Sequence, residues 1–375
     1  MSWTLEGRPL RRILVTRLRY LGDIAMSTVV LEVLRRGDPD CVLGYCCEDG
    51  HASLLAGHPA LNQVHALAAK RQGSDAAARA AQAASASGQV TANGTLGTVL
   101  GLRRARYDLA VDLFFNPRSA WLLRLAGIPL RIGGATSKSR RRLYTHQALA
   151  LSPGERPGLH AVASGGLADH LARLAPLRHA DGRLFLDWLE ESVQPGALRP
   201  RLHPPALAAD IESQLPTRGF TLLAPAATWP SKEWPAERWR DLAGRLESAD
   251  GQPPVILCPP SGPGDLAGLP GLLPPLPLPT ALQVVAAADR LVSADGGIMH
   301  ASVAYGVPTL ALFGPTDPVL WFPYENLGLY RVLATRPSCH PCDRHTCDEF
   351  ICLPDLSVDM VVDALKDLGT REVGS

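Results

Sequence analysis

Short apolar runs alternate with longer amphipathic ones along most of the chain. Residues 11–18, RRILVTRL, have an uninterrupted apolar centre and read as a buried strand. The turn YLGD follows, and residues 24–36, IAMSTVVLEVLRR, have helical length and spacing. Residues 41–47, CVLGYCC, and 108–114, DLAVDLF, predict two more strands, the second leading into a helix from about residue 117 to 126. A second series begins at FTLLAPA (220–226). It continues through a helix at 235–247, a strand at 253–258, a helix at 280–288, the strand RLVSAD, the helix GIMHASVAYG and the strand PTLALFG. Strands alternating with helices predict parallel sheets covered on both faces. The fold class is therefore α/β, with two Rossmann-like, doubly wound domains facing each other across a cleft. The N-terminal domain is expected over residues 1–187 and the C-terminal domain over 206–375. The Pro- and charge-rich stretch 188–205 is read as the linker. Residues 68–97, rich in Ala, Gly, Ser, Thr and Gln, read as a loop with some helix.

The length of 375 residues suits two domains, and 46% hydrophobic against 19% charged residues allows a large core. A net charge of +1 gives no global basic field, which argues against a nucleic-acid partner. No run of about 18 apolar, uncharged residues predicts a transmembrane helix. The N-terminal stretch MSWTLEGRPLRRILV lacks the long apolar segment of a signal peptide. These features predict a cytoplasmic protein with reduced thiols, and any membrane contact would be peripheral, at the inner face.

Three strand–helix turns carry candidate chemistry. In SADGGIMHASVAYG, Gly296 and Gly297 allow a sharp turn and a close ligand approach. The helix that follows directs free N–H groups and its positive dipole end toward the strand's carboxyl edge, a fit for phosphate, with Asp295 and His300 flanking it. An ordinary turn explains the same glycines. In APAATWPSKEWP, Thr228, Ser231 and Lys232 can donate to phosphate oxygens, and a solvated loop is the alternative. In RLRYLGDIAMS, Asp23 stands at the first turn of the N-terminal domain, as a general base or as a helix cap. The first turn lacks G-x-G-x-x-G, so a nicotinamide dehydrogenase does not fit.

These motifs, with YDLAVDLFFNPRSAWLLRLAGIPLRIGG, make the chain resemble the heptosyltransferases of glycosyltransferase family nine over nearly its whole length. The resemblance implies the GT-B fold and an inverting, metal-independent transfer of a heptose from ADP-heptose to a glycolipid acceptor of the lipopolysaccharide-core type, or to another glycan. It implies that Asp23 is the base and that Thr228 and Lys232 hold the donor diphosphate, Lys232 offsetting charge on the leaving ADP. Asp295 would contact the donor sugar, and Gly297 and His300 would belong to the diphosphate-binding helix start. The chain departs from the family pattern at Ala227 and Gly296, where hydroxyl residues are common. It also lacks a glutamate for the ribose in PPSGPGDLAGLPG, where Asp265 is a substitute. A transferase with another nucleotide-sugar donor, or a nucleotide-sugar-binding protein without turnover, is the alternative.

Two clusters remain. SKSRRRLY, including Arg141, together with Arg118 and Arg124, gives the acceptor half a basic character suited to anionic inner-core groups or a membrane surface. A solvated basic loop accounts for it equally. Cys339, Cys342, Cys347 and Cys352 have the spacing C-x2-C-x4-C-x4-C, and a structural zinc or iron competes with free thiols or a disulfide. No cofactor is expected in catalysis. Cys41, Cys46, Cys47 and Cys258 read as core residues in strands.

Overall fold

A computed structural model describes residues 3–69, 89–134, 138–148, 163, 165–194, 197–204 and 206–369. The chain divides into two units, Met1–His203 and Pro204–Ser375.

In the first unit, β1 (Trp3–Leu5) and β2 (Arg8–Pro9) form a hairpin that joins a later strand in a small antiparallel sheet. The main sheet has seven parallel strands. They are β3 (Arg12–Thr16), β4 (Val42–Glu48), β5 (Gln63–Leu67), β6 (Val90–Asn93), β7 (Leu109–Asp112), β8 (Leu130–Gly133) and β9 (His146–Gln147). Their spatial order is β6-β5-β4-β3-β7-β8-β9. After β3 the sheet grows outward on one side through β6, then restarts on the other side at β7. The switch point lies between β3 and β7, where open α/β sheets bind ligands at the strands' carboxyl ends.

Helix α1 (Leu21–Gly37) follows β3. Arg35 and Arg36 in its last turn complement the dipole. It ends at Gly37, where an added Cβ would lie 2.1 Å from the Trp3 indole, so only glycine allows that approach. Trp3 also donates to the Leu34 carbonyl at 3.0 Å.

Two stretches differ from the sequence reading. Residues 70–88 of the expected loop lie outside the described residues, but its end forms β6 and the start of α2 (Thr95–Ala105). The expected linker starts inside a helix, α3 (Phe185–Ser192), whose Phe185 and Trp188 pack on Trp3 with ring centroids 5.6 and 4.9 Å away. Its charged and proline residues pointed to a linker, but Trp188 and Leu189 are buried. The strand β10 (Arg178–His179) just before this helix completes the small sheet beside β1.

The second unit holds five parallel strands, β11 (Thr221–Ala224), β12 (Val255–Ile256), β13 (Arg290–Ala294), β14 (Thr309–Phe313) and β15 (Tyr330–Ala334). The order β12-β11-β13-β14-β15 puts the switch point between β11 and β13. Strands β13 and β14 are buried at every residue but Arg290, as expected for a sheet covered on both faces. Helix α4 (Ala236–Asp250) buries Trp239 against Trp234, whose indole N–H donates to the Leu356 carbonyl at 2.9 Å. Further helices include α5 (Leu278–Ala287), α6 (Gly297–Ala304) and α7 (Val358–Leu368), the last of which joins the same core. Among the described residues no helix is long and apolar enough to cross a membrane.

Candidate functional site

In the first unit Asp23 sits in the first turn of α1, at the switch point. One carboxylate oxygen accepts the Tyr20 N–H at 3.3 Å, closing the capping arrangement of that helix. The other is ion-paired with the Arg17 guanidinium. Arg17 is itself held across the switch point, donating to the Leu113 carbonyl after β7 at 2.7 Å and lying 4.9 Å from the Phe114 ring centroid. Asp23 thus combines a capping bond with a charge partner, and the two sequence readings of this residue are not exclusive.

Beside it, a cavity of about 510 Å³ is lined by Leu18, Arg19, Glu48, Asn116, Arg118 and Trp121, among others. Of the three arginines expected at an acceptor site, only Arg118 lines it. Arg118 is bonded to Glu48 and to the Ala68 carbonyl. Arg124 and Arg141 are exposed and do not line this cavity.

In the second unit the loops after β11 and β13 meet at the other switch point. The buried Lys232 ammonium lies 2.7 Å from Asp295 Oδ2, and Thr316, after β14, donates to the same oxygen. Lys232 also stands 4.2 Å from the Trp229 ring centroid. A lysine stem is flexible, so a carboxylate and an aromatic face together fix its charge. Helix α6 begins beside Asp295, with the free N–H groups of its first turn at the strand's carboxyl edge.

Two donor-site expectations change. Gly296 has φ −162°, an extended backbone open to any residue, and an added Cβ would meet the Ala226 carbonyl oxygen only at 3.4 Å. The turn therefore does not require glycine there. Ser231 is buried, and its hydroxyl donates to the Arg344 carbonyl at 2.5 Å, so its proton is already committed within the protein. Thr228 is exposed in the same loop.

His300 is buried in α6, with Nδ1 2.7 Å from the Tyr324 hydroxyl. Burial, then the nearby Lys232 ammonium, pushes its pKa down to about 3, so it is a neutral partner at pH 7. Burial also lowers His58 and His65 to about 4. All three bind their protons more weakly folded than unfolded. Their stabilisation is complete above about pH 6.5 and is lost as pH falls toward 4. Each should cost on the order of 1 kcal/mol per pH unit in that window. Thermal melts between pH 7 and 5 should show a steadily falling midpoint, and a flat midpoint would show that these rings charge without cost.

Of the clustered thiols, Cys339 is exposed and Cys342, Cys347 and Cys352 are half-buried. Among the described residues, no three Cys, His, Asp or Glu side chains are placed to hold a metal ion. Cys41, Cys46 and Cys47 are buried, and Cys258 is half-buried beyond the end of β12.

Sequence reasoning missed Arg17, Thr316, Trp229 and Tyr324. Thr316 had a signal, since GPTDP follows a predicted strand at the same sheet edge as Asp295.

Residues 99–350, about two thirds of the chain, match the profile of glycosyltransferase family 9 (heptosyltransferase). Lipopolysaccharide heptosyltransferase 1 of Pseudomonas aeruginosa is 28% identical over 351 residues, covering 90% of this chain and 87% of that protein. Among solved structures, E. coli ADP-heptose lps heptosyltransferase II aligns with a TM-score of 0.66 at 20% identity, over 95% of this chain and 98% of that one. E. coli heptosyltransferase WaaC with ADP-2-deoxy-2-fluoro heptose aligns with a TM-score of 0.62 at 19% identity, over 96% and 100%. These two likenesses extend over both units and carry the fold, which is GT-B. With the profile match across both units, the chain belongs to glycosyltransferase family 9, the heptosyltransferases.

Proposed function

We propose that the protein is an inverting transferase that moves a heptose from ADP-heptose to a sugar hydroxyl of a lipopolysaccharide-core acceptor. The observation that carries this reading is the buried Lys232–Asp295–Thr316 constellation beside the start of α6, a ready site for a diphosphate. Next to it a cavity of about 380 Å³ is lined by Pro225, Glu233, Pro259, Pro260, Asp265 and Phe350, among others. That volume suits a nucleoside. Pro259, Pro260 and Phe350 give a base apolar contacts, and Glu233 and Asp265 supply acceptors for ribose hydroxyls. Relatives named for ADP-heptose support the choice of nucleotide and sugar.

In the reaction Asp23 takes the proton of the acceptor hydroxyl while its oxygen bonds to the anomeric carbon. The bond from that carbon to the diphosphate oxygen breaks, and ADP leaves with the electron pair. Attack opposite the leaving group inverts the centre. Lys232 offsets charge growing on the diphosphate, a role that needs no divalent cation. Asp295 takes both of its protein bonds on Oδ2, which leaves Oδ1 to accept from a donor-sugar hydroxyl. Arg19 and Arg118 in the first-unit cavity suit anionic groups of the acceptor, and a glycolipid acceptor brings the protein to a membrane surface.

A thermal-shift panel of ADP-, GDP- and UDP-sugars tests the donor. A ligand at about a hundred times its dissociation constant should stabilise its unit by roughly 2.7 kcal/mol. ADP compounds should shift the midpoint most. A shift with GDP- or UDP-sugars alone would replace the donor assignment, and no shift with any ADP compound would remove it.

A further inference from the structure

The loop between β15 and α7 carries all four clustered thiols, and it is bonded to the loop after β11, which carries Lys232, and to the loop after β14, which carries Thr316. On the Lys232 side, the Ser231 N–H donates to the His345 carbonyl at 3.3 Å and the Ser231 hydroxyl to the Arg344 carbonyl at 2.5 Å. On the Thr316 side, the N–H groups of Cys342 and Asp343 donate to the Pro315 carbonyl at 2.9 and 3.0 Å. His340 Nδ1 lies 3.0 Å from the Gly314 carbonyl oxygen. The loop therefore brackets Lys232 and the threonine that holds its counter-ion.

One side chain of the bracket stands out. His345 is exposed, yet its ring stacks on Trp229 with centroids 3.8 Å apart and 20° between the planes. Trp229 is the ring against which the Lys232 ammonium rests. An exposed imidazole adds little to a core, but it restricts the rotamers of the tryptophan beneath it. A restricted Trp229 in turn limits where the Lys232 charge can go. Phe350 of the same loop lines the nucleoside-sized cavity.

We propose that the cysteine-bearing loop is a working part of the donor site, with His345 a positioning residue that fixes Lys232 through Trp229 and so sets affinity for a nucleoside diphosphate. This rests on the reading of Lys232 as a diphosphate contact. The test is a double-mutant cycle on the full chain, with ADP as the probe in titration calorimetry. His345→Ala should weaken ADP binding about three- to tenfold. His345→Phe, which keeps a stacking ring, should bind ADP close to the wild-type value. In a Lys232→Met background His345→Ala should cost nothing further, because there is no charge left to position. Unchanged ADP affinity in His345→Ala overturns the proposal. So does an equal loss in both backgrounds, which would mean that His345 acts on the ligand or the fold without Lys232. Failure of the underlying reading looks different: Lys232→Met combined with Asp295→Asn, which leaves no stranded charge, would then bind ADP as tightly as the wild type, and the proposal would fall with it.

Discussion

Replacing Asp23 by asparagine is expected to slow sugar transfer by about 10²–10⁴-fold, the usual worth of a general base, while donor affinity stays near wild type. Asparagine keeps the size of the side chain, and its carbonyl oxygen can still accept the Tyr20 N–H that caps α1. It cannot accept a proton from an acceptor hydroxyl. It also cannot pair with Arg17, which would be left with its bond to the Leu113 carbonyl and its contact with Phe114. The midpoint of thermal unfolding should therefore fall by a few degrees rather than collapse, since about 1 kcal/mol moves a domain of this size by roughly 2–4 °C. Donor affinity should hold because Asp23 and the diphosphate-binding residues belong to different units. The measurement is transfer rate and donor dissociation constant on the same preparation. Transfer close to the wild-type rate would leave Asp23 as a helix cap with an arginine partner. Loss of both quantities together would indicate a folding defect in place of a lost base.

The two switch points were legible because each strand–turn–helix unit announces itself locally. An apolar run ends, small or polar residues follow, and helical spacing begins. That pattern places Asp23, Lys232 and Asp295 at the strands' carboxyl edges, where the structure also has them. It could not show what each would bond to, because the partners come from distant segments. Arg17 reaches the β7 end through Leu113, Thr316 reaches Asp295 from beyond β14, and Ser231 is claimed by Arg344, 113 residues away. Composition misled in a different way. Residues 188–205 look like a linker by proline and charge content, yet Trp188 is anchored on Trp3 from the other end of the unit. The paired glycines at 296 and 297 suggested a sharp turn, but Gly296 has an extended backbone with room for a Cβ. The cysteine spacing suggests metal chemistry, while the backbone of the same loop, through the Cys342 N–H and the His345 carbonyl, is bonded to the loops that carry Thr316 and Lys232, which spacing alone does not reveal.

Lys232→Met should weaken ADP binding by about ten- to hundredfold, the range for losing a charged hydrogen bond, and should reduce turnover further. Turnover falls more because negative charge on the diphosphate oxygen is greatest as the bond to the sugar breaks. Methionine keeps an apolar stem that can lie on Trp229, so the change isolates the ammonium. It carries a second consequence. Asp295 is 4% exposed, and removing its cation leaves a buried carboxylate held by the Thr316 hydroxyl. Breaking a buried pair from one side typically costs about 3–5 kcal/mol, enough to lower the melting midpoint by on the order of 10 °C. Weak ADP binding in that variant alone could then reflect a loosened site. Adding Asp295→Asn removes the stranded charge, keeps an acceptor for Thr316, and should restore most of the lost stability. If Lys232 binds the diphosphate, the double variant melts near the wild type and still binds ADP weakly, since ADP has no sugar for residue 295 to contact. If the double variant regains wild-type affinity for ADP, the single variant's defect was structural, and Lys232 serves to neutralise Asp295 rather than to hold the donor.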